Sequence, residues 1–475
     1  MADKNRLIEL SMVPALAAEL AAQIDGPVRN VDRLTALSMI PDVAREIVGQ
    51  INRDLPNKSA LVELGVVPKL AEEIAAQIGS ALRARNVRIV VGPGDSRAFT
   101  AFPDGALKRQ KGGTDPVNIA CALSMQRYRL DNAFAVSGQR VDQYMSLLPD
   151  ALATGAGIMW LPSVLNTIGQ DYPTASTSGQ DALTRILAAA DQAIAQGFIV
   201  VVMSEVGQVG MIQAKRDQIN FYNNGIATAA RNKRGLVFLD VRSAVCGTDN
   251  MLLPLYTYDG THFNELGGFV VGRIVKVLFD QLMPVGASFL LGANGLPEIG
   301  GYTNRMPNPL FNVATGGTTT SGATGTFSGS SRFNKTGTAT LNVTSTVGKT
   351  NLVGTFAAQN DRVYVEQEAD MTGLTTGPFV RGMALAKINS SSGLAGVQMT
   401  SIFYSSAATE IYADLSATAT WAGPNDSYTL LLLTQEYKLP VVANAYALVN
   451  QVAAVAFGAG GIDMDVTQVG GLIKT

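Results

Sequence analysis

Val87-Arg88-Ile89-Val90-Val91-Gly92-Pro93-Gly94-Asp95-Ser96 sets the fold class of the central part of this chain. Four of its first five residues are β-branched and make a short apolar run of strand length. Glycine, proline and glycine then close it as a turn. A side chain presented just after such a turn sits at the C-terminal edge of a strand, where open α/β sheets collect their reactive groups. Ser96 is therefore a candidate nucleophile. Further strand runs follow at Asn132 to Val136, Gly157 to Leu161, Phe198 to Met203 and Leu236 to Val241. Helical patterns fill the gaps at Pro116 to Arg129, Gln180 to Gln196, Gln213 to Asn232 and Asn264 to Leu282. This alternation predicts a three-layer α/β domain over residues 85–285, a parallel sheet covered by helices on both faces.

A serine hydroxyl is a weak nucleophile until a base takes its proton. The chain holds a single histidine, His262, in Tyr258-Asp259-Gly260-Thr261-His262-Phe263-Asn264. Imidazole is the side chain that accepts and returns a proton near neutral pH without large tuning. Asp259 precedes it by three residues, a spacing that puts both side chains on one face if the segment is a helical turn. The carboxylate then fixes the ring's tautomer and stabilises the imidazolium.

Gly94-Asp95-Ser96 and Asp259-Gly260-Thr261-His262 together resemble the SGNH (GDSL-type) hydrolases, which carry the first block after their first strand and Asp-x-x-His before their last helix. The likeness spans about two fifths of the chain and implies an SGNH-type α/β fold, ester hydrolysis, and the set Ser96, Asp259 and His262. It also implies an oxyanion hole built from the Ser96 N–H, a glycine after the second strand and an asparagine after the third. Gly138 in Val136-Ser137-Gly138-Gln139 fits the glycine. Asn166 in Pro162-Ser163-Val164-Leu165-Asn166-Thr167 fits the asparagine, but Val164 and Thr167 replace the glycine and aspartate of the family's Gly-x-Asn-Asp. That departure leaves altered or lost activity open. Arg97 stands where many relatives have leucine and has two readings, a contact to an acidic substrate or to solvent.

Residues 1–80 contain three tandem units. Leu7, Leu10, Met12, Pro14, Glu19, Gln23 and Ile24 recur 27 residues later as Leu34, Leu37, Met39, Pro41, Glu46, Gln50 and Ile51, and again as Leu61, Leu64, Val66, Pro68, Glu73, Gln77 and Ile78. Each unit reads as a helical hairpin with proline opening the second helix. A hairpin of this size cannot bury its own apolar face, so these all-α repeats either cap the neighbouring domain or dock onto a larger assembly. Beyond Gly286 glycine, threonine and serine dominate, and residues 286–335 read as a linker. Residues 336–475 carry β-type runs at Ala339 to Val347, Leu352 to Ala357, Arg362 to Ala369, Phe379 to Ile388, Gly396 to Tyr404, Glu410 to Trp421 and Tyr428 to Glu436. Several alternate apolar with polar residues, which predicts an all-β sandwich of jelly-roll type. The nearly uncharged end from Leu439 reads as a strand and helix completing that domain or as a subunit contact.

At 475 residues the chain is multidomain. Its formal net charge of −2 and the absence of a lysine/arginine block argue against nucleic acid as a partner. No apolar run approaches the ~20 residues of a membrane span. Met1-Ala2-Asp3-Lys4-Asn5-Arg6 lacks the apolar core of a signal peptide, so synthesis in a host cytoplasm is expected. One histidine and two distant cysteines, Cys121 and Cys246, give neither a zinc site nor a disulfide framework, and no cofactor is implied. Helical repeats, an esterase-like domain and a Gly/Thr-rich β domain are similar in layout to a bacteriophage tail fibre or tailspike. That likeness implies a virion location, docking of residues 1–80 to other virion proteins, a homotrimer, and an O-acetylated host surface glycan as substrate. A non-catalytic structural or receptor-binding tail protein is the competing expectation.

Overall fold

The computed structural model describes residues 86–101, 112–132, 134–283, 289–371, 377–404, 410–412, 417–420, 427–438 and 447–474, together with 16–20, 39, 43 and 47. Most of the repeat region expected at 1–80 lies outside the described residues. Within it 16–20 is helical, and two pairs at the 27-residue step, Leu16 with Val43 and Leu20 with Ile47, are buried.

In chain order the elements that matter for the site are β1 (Asn86–Val91), α1 (Ser96–Phe99), α2 (Pro116–Leu123), β2 (Arg129–Asn132), β3 (Ala156–Leu161), α3 (Leu165–Gly169), α4 (Ser178–Ala195), β4 (Ile199–Met203), α5 (Gln213–Asn232), β5 (Leu236–Leu239) and α6 (Glu265–Leu282). The chain divides into two compact units, one of Met1–Asp95, Phe134–Glu205 and Ile212–Asp240, the other of Ser96–Ala133, Val206–Met211 and Val241–Thr475.

The first unit is built on parallel strands in the order β1-β3-β4-β5. All six residues of β3 and four of the five in β4 are buried, the continuous apolar pattern of strands covered on both faces. Beyond the end of β1, Gly94 bridges Ala135 in parallel, with Val136 N–H donating to the Gly94 carbonyl at 3.1 Å. The strand expected at Asn132 to Val136 is thus Arg129–Asn132 plus this bridge. Helix α4 buries Ala182, Ile186, Ala189, Ala190 and Ala193, one helical stripe.

In the second unit, α2 starts with Asp115 as its cap, the side chain accepting from Asn118 N–H at 2.7 Å, and Pro116 at its first position. It ends at Leu123, short of the Arg129 read from sequence, because Met125 and Gln126 turn left-handed (φ 58° and 54°) and Gln126 N–H donates back to the Cys121 carbonyl at 2.8 Å. Helix α6 packs on α2 at close range. A Cβ on Gly268 would meet the Thr114 carbonyl oxygen at 2.3 Å, so that position takes no side chain.

The C-terminal region forms a large, hydrogen-bonded β region of twelve strands among the described residues. Its longer strands are β6 (Ser331–Thr336), β7 (Thr340–Thr346), β8 (Lys349–Phe356), β9 (Arg362–Asp370), β10 (Phe379–Tyr404), β11 (Tyr428–Leu433) and β12 (Ala447–Lys474). The longest are β10 and β12, of 26 and 28 residues, which pair antiparallel from Phe379↔Lys474 to Tyr404↔Ala447. Two runs read separately from sequence join into β10 because the polar Asn389 to Gly393 stretch between them is absorbed as register shifts in the ladder. The tail expected to hold a strand and a helix is β12, which pairs with β8, β9 and β10. Of the linker-like residues 286–335, the described part, 289–335, is folded against this sheet. Phe289, Leu291, Met306 and Phe311 are buried, and Gln367 Nε2 donates to the Asn308 carbonyl at 2.8 Å.

Asp361 closes the turn before β9. Hydrogen bonds from the Ala357, Thr338 and Ala358 N–H groups, with the Thr338 hydroxyl, outweigh desolvation and pull its carboxyl from 3.8 down to about 2. A depressed folded-state value contributes stability above the unfolded value, lost as pH falls through the folded one. Asp361→Asn is predicted to lower the unfolding temperature at pH 7, with the gap to wild type closing as pH drops from about 4 to about 2. Thermal melts across that range check it.

Candidate active site

Ser96 opens α1 directly after the Gly92-Pro93-Gly94-Asp95 turn and is half-buried. Its partner segment, Thr257 to Asn264, is an irregular loop and not the helical turn assumed from the three-residue spacing. Asp259 and His262 meet because the carboxylate organises the loop around itself. Asp259 Oδ1 accepts from the Thr261 and His262 N–H groups, both at 2.8 Å, and Oδ2 lies 2.6 Å from His262 Nδ1. Gly260 supplies the left-handed residue the turn requires, with φ at 85°. Its N–H donates to the Thr257 hydroxyl at 2.8 Å, and its carbonyl accepts from Val209 N–H at 2.9 Å. Asn264 ties the loop to α6: its Oδ1 caps the helix by accepting from Gly267 N–H at 2.9 Å, while Nδ2 donates to the Leu255 carbonyl at 2.8 Å.

His262 Nε2 lies 2.8 Å from Ser96 Oγ. A chain of two hydrogen bonds therefore runs from hydroxyl through imidazole to carboxylate, all within the second unit. With Nδ1–H donated to Asp259, Nε2 is left as the acceptor for the serine proton. Burial alone would raise the Asp259 carboxyl, but the hydrogen bonds from the backbone and ring of His262 and from Thr261 prevail and hold it below the ordinary carboxylate value. It therefore remains an anion while the ring accepts a proton. The Tyr258 ring stacks on the imidazole at 5.7 Å between centroids and is itself exposed.

Gly138 and Asn166 are brought together in the first unit. Gly138 lies in an exposed turn with φ at 79°, and its carbonyl accepts from Gln170 Nε2 at 3.2 Å. Asn166 Nδ2 donates to the Gln139 carbonyl at 3.1 Å and to Asp95 Oδ2 at 3.2 Å. The amide is thus fixed by the turn that holds Gly138 and by the residue preceding Ser96. The two departures from the Gly-x-Asn-Asp pattern have structural partners: Val164 N–H donates to Glu205 Oε2 at 2.6 Å, and buried Thr167 accepts from Val141 N–H at 2.9 Å.

Three participants were not assigned from the sequence. Ser163 Oγ lies 3.1 Å from Asp95 Oδ2 and 3.0 Å from Glu205 Oε2, with all three residues buried. The readable signal was a charged residue, Glu205, placed just after the apolar β4. Arg97 is the third, buried and directed at backbone carbonyls rather than at solvent. Among the described residues no group of three or more His, Cys, Asp and Glu side chains could hold a metal ion. Cys121 is buried and Cys246 half-buried, and neither is in a disulfide.

No protein-family model matches the chain, and no curated protein matches its sequence. Solved structures similar to it include a GDSL-like lipase from Bacteroides thetaiotaomicron (16% identity, 44% of this chain and 98% of that one, TM-score 0.33). Also similar are an acetyl xylan esterase (15%, 40% and 98%, TM-score 0.33) and the enzymatically active domain of bacteriophage CBA120 tailspike protein 4 (14%, 36% and 21%, TM-score 0.23). At these scores the likeness carries no weight for the chemistry, which stands on the distances above.

Asn264→Ala is predicted to lower stability by about 1 kcal/mol through the lost cap. Asn264→Ser, which can still cap α6 but cannot donate to Leu255, should recover most of that loss. Unfolding midpoints of the two variants measure the difference.

Proposed function

We propose that this chain is a serine-dependent carboxylic ester hydrolase. The observation that carries the reading is the unbroken chain from Ser96 Oγ through His262 to Asp259, at 2.8 and 2.6 Å, made by the chain's single histidine. In this reading Ser96 Oγ attacks the ester carbonyl while His262 Nε2 takes its proton, giving a tetrahedral oxyanion. His262 then returns the proton to the alkoxide leaving group, and the acyl group remains on Ser96. Water, deprotonated by the same nitrogen, attacks the acyl-enzyme, and the free acid departs as Ser96 recovers its proton. Asp259 keeps the ring in the productive tautomer and stabilises the imidazolium. The Ser96 and Gly138 N–H groups and the Asn166 amide are the proposed oxyanion donors, the amide exchanging its bond to the Gln139 carbonyl for the oxyanion; such a contact is worth about 10²–10³-fold in kcat.

The proposed setting is a phage virion. There an O-acetyl group on a host surface polysaccharide is the ester, residues 1–80 dock to other virion proteins, and the β region holds glycan and joins a homotrimer. The tandem repeats that precede the α/β part in the sequence and the large β region that follows it support it. The second reading, a non-catalytic structural or receptor-binding tail protein, draws on the replacement of glycine and aspartate by Val164 and Thr167. Against it, both replacements are hydrogen-bonded without displacing Asn166 from Asp95.

Hydrolysis of p-nitrophenyl acetate by the full chain separates the two. Ser96→Ala and His262→Ala are each predicted to lower kcat by roughly 10⁴-fold or more, since members of such a chain act as a unit. Asp259→Asn should lower it by up to ~10⁴-fold through the wrong tautomer. A His262→Ala variant that keeps more than about a tenth of the wild-type rate contradicts the mechanism.

A further inference from the structure

Arg97 is 6% exposed although it follows the Ser96 hydroxyl directly. Its Nε and Nη2 both donate to the Thr261 carbonyl, at 3.2 and 2.9 Å, and Nη2 also donates to the Val206 carbonyl at 3.2 Å. Thr261 is the residue before His262. Val206 opens the loop whose Val209 N–H holds the Gly260 carbonyl at 2.9 Å. Three segments of the second unit therefore meet at one guanidinium: α1 with Ser96, the 206–211 loop, and the loop that carries Asp259 and His262. The Arg97 end is anchored in turn, its own carbonyl accepting from the Thr100 hydroxyl at 2.7 Å.

Ser96 and His262 lie 166 positions apart in the chain, so no local geometry sets the distance between them. A planar guanidinium with fixed N–H directions suits that task, because two adjacent donors converge on one carbonyl while another reaches a second loop. An ammonium on a flexible stem lacks that fork. Leucine of similar bulk fills the space and leaves both carbonyls without this donor, so the loops lose a direct tie to the nucleophile's helix.

We infer that Arg97 is a positioning residue for the hydrolytic site, holding the His262 imidazole within hydrogen-bond reach of Ser96 Oγ by clamping the Thr261 and Val206 carbonyls. The inference rests on the ester-hydrolase reading for its kinetic consequence and on geometry alone for its structural one. The clamp acts through the Thr261 and Val206 carbonyls, so its loss acts on kcat and leaves KM nearly unchanged. Misplacement of about 1 Å at a reacting pair lowers rate by roughly a hundredfold.

The test uses the full chain with Arg97→Leu and Arg97→Lys. Because His262 is the single histidine, its ring resonances need no assignment among others. Proton and nitrogen NMR report the Nδ1–H bond to Asp259, p-nitrophenyl acetate kinetics report kcat and KM, and thermal melts report folding. Expected for Arg97→Leu are a folded protein, a kcat lower by roughly a hundredfold, a KM within about twofold of wild type, and a shifted or exchange-broadened ring N–H. Arg97→Lys should fall between the two. Folded Arg97→Leu with an unchanged imidazole signal and a kcat within about threefold of wild type overturns the inference. So does an unfolded Arg97→Leu beside an Arg97→Lys with wild-type kcat and ring signal. A wild-type chain with no esterase activity defeats the functional reading alone, and the clamp then stands or falls on the ring signal.

Discussion

Everything proposed for this chain depends on one imidazole making two hydrogen bonds at once. His262 reaches Ser96 at 2.8 Å and Asp259 at 2.6 Å, and neither contact is useful without the other. A ring free to rotate would offer Ser96 a nitrogen of uncertain protonation. A carboxylate free to take up protons would not stabilise the imidazolium. Asp259 avoids both failures by spending one oxygen on two backbone N–H groups and the other on the ring, so the loop, the anion and the tautomer are set by the same four-residue turn. Gly260 is the residue that lets the backbone close that turn.

The scaffold around the turn shows how a short loop is made dependable. Asn264 fixes its exit to α6, Val209 holds its centre through Gly260, and Arg97 holds the carbonyl before His262. On the nucleophile's side, the buried Asp95 precedes Ser96 and takes the Asn166 amide and the Ser163 hydroxyl. Of these anchors Asp95, Ser163 and Arg97 are buried, and each is hydrogen-bonded to backbone or to another polar side chain, the condition under which burial of such groups is tolerated.

Much of this was legible in the sequence wherever the pattern was dense. The apolar runs at Ile199–Met203 and Ala156–Leu161 are strands because little else buries such segments on both sides, and the β-branched run before Gly92 is a strand of the same sequence pattern. The pairing of Gly94-Asp95-Ser96 with Asp259-x-x-His262 was readable because one histidine leaves no choice of base. The clamp by Arg97 and the Ser163 to Glu205 contact were not readable, since they join segments far apart in the chain through single side chains with no periodicity. The C-terminal region misled for a different reason. Glycine, serine and threonine mark linkers by composition, yet residues 289–335 also include the buried Phe289, Leu291, Met306 and Phe311, and the polar break between two apolar runs became register shifts in one long strand. Turn-like composition does not separate a break in a strand from a bulge in it.

The central claim is that Ser96 is a nucleophile made reactive by His262, and covalent trapping reaches it without assuming any substrate. The full chain treated with a fluorophosphonate, digested and mapped by mass spectrometry, should carry one adduct per chain, on the peptide containing Ser96, and His262→Ala should slow its formation by several orders of magnitude. An adduct on another residue, none at all, or one that forms as fast without the imidazole would contradict the account.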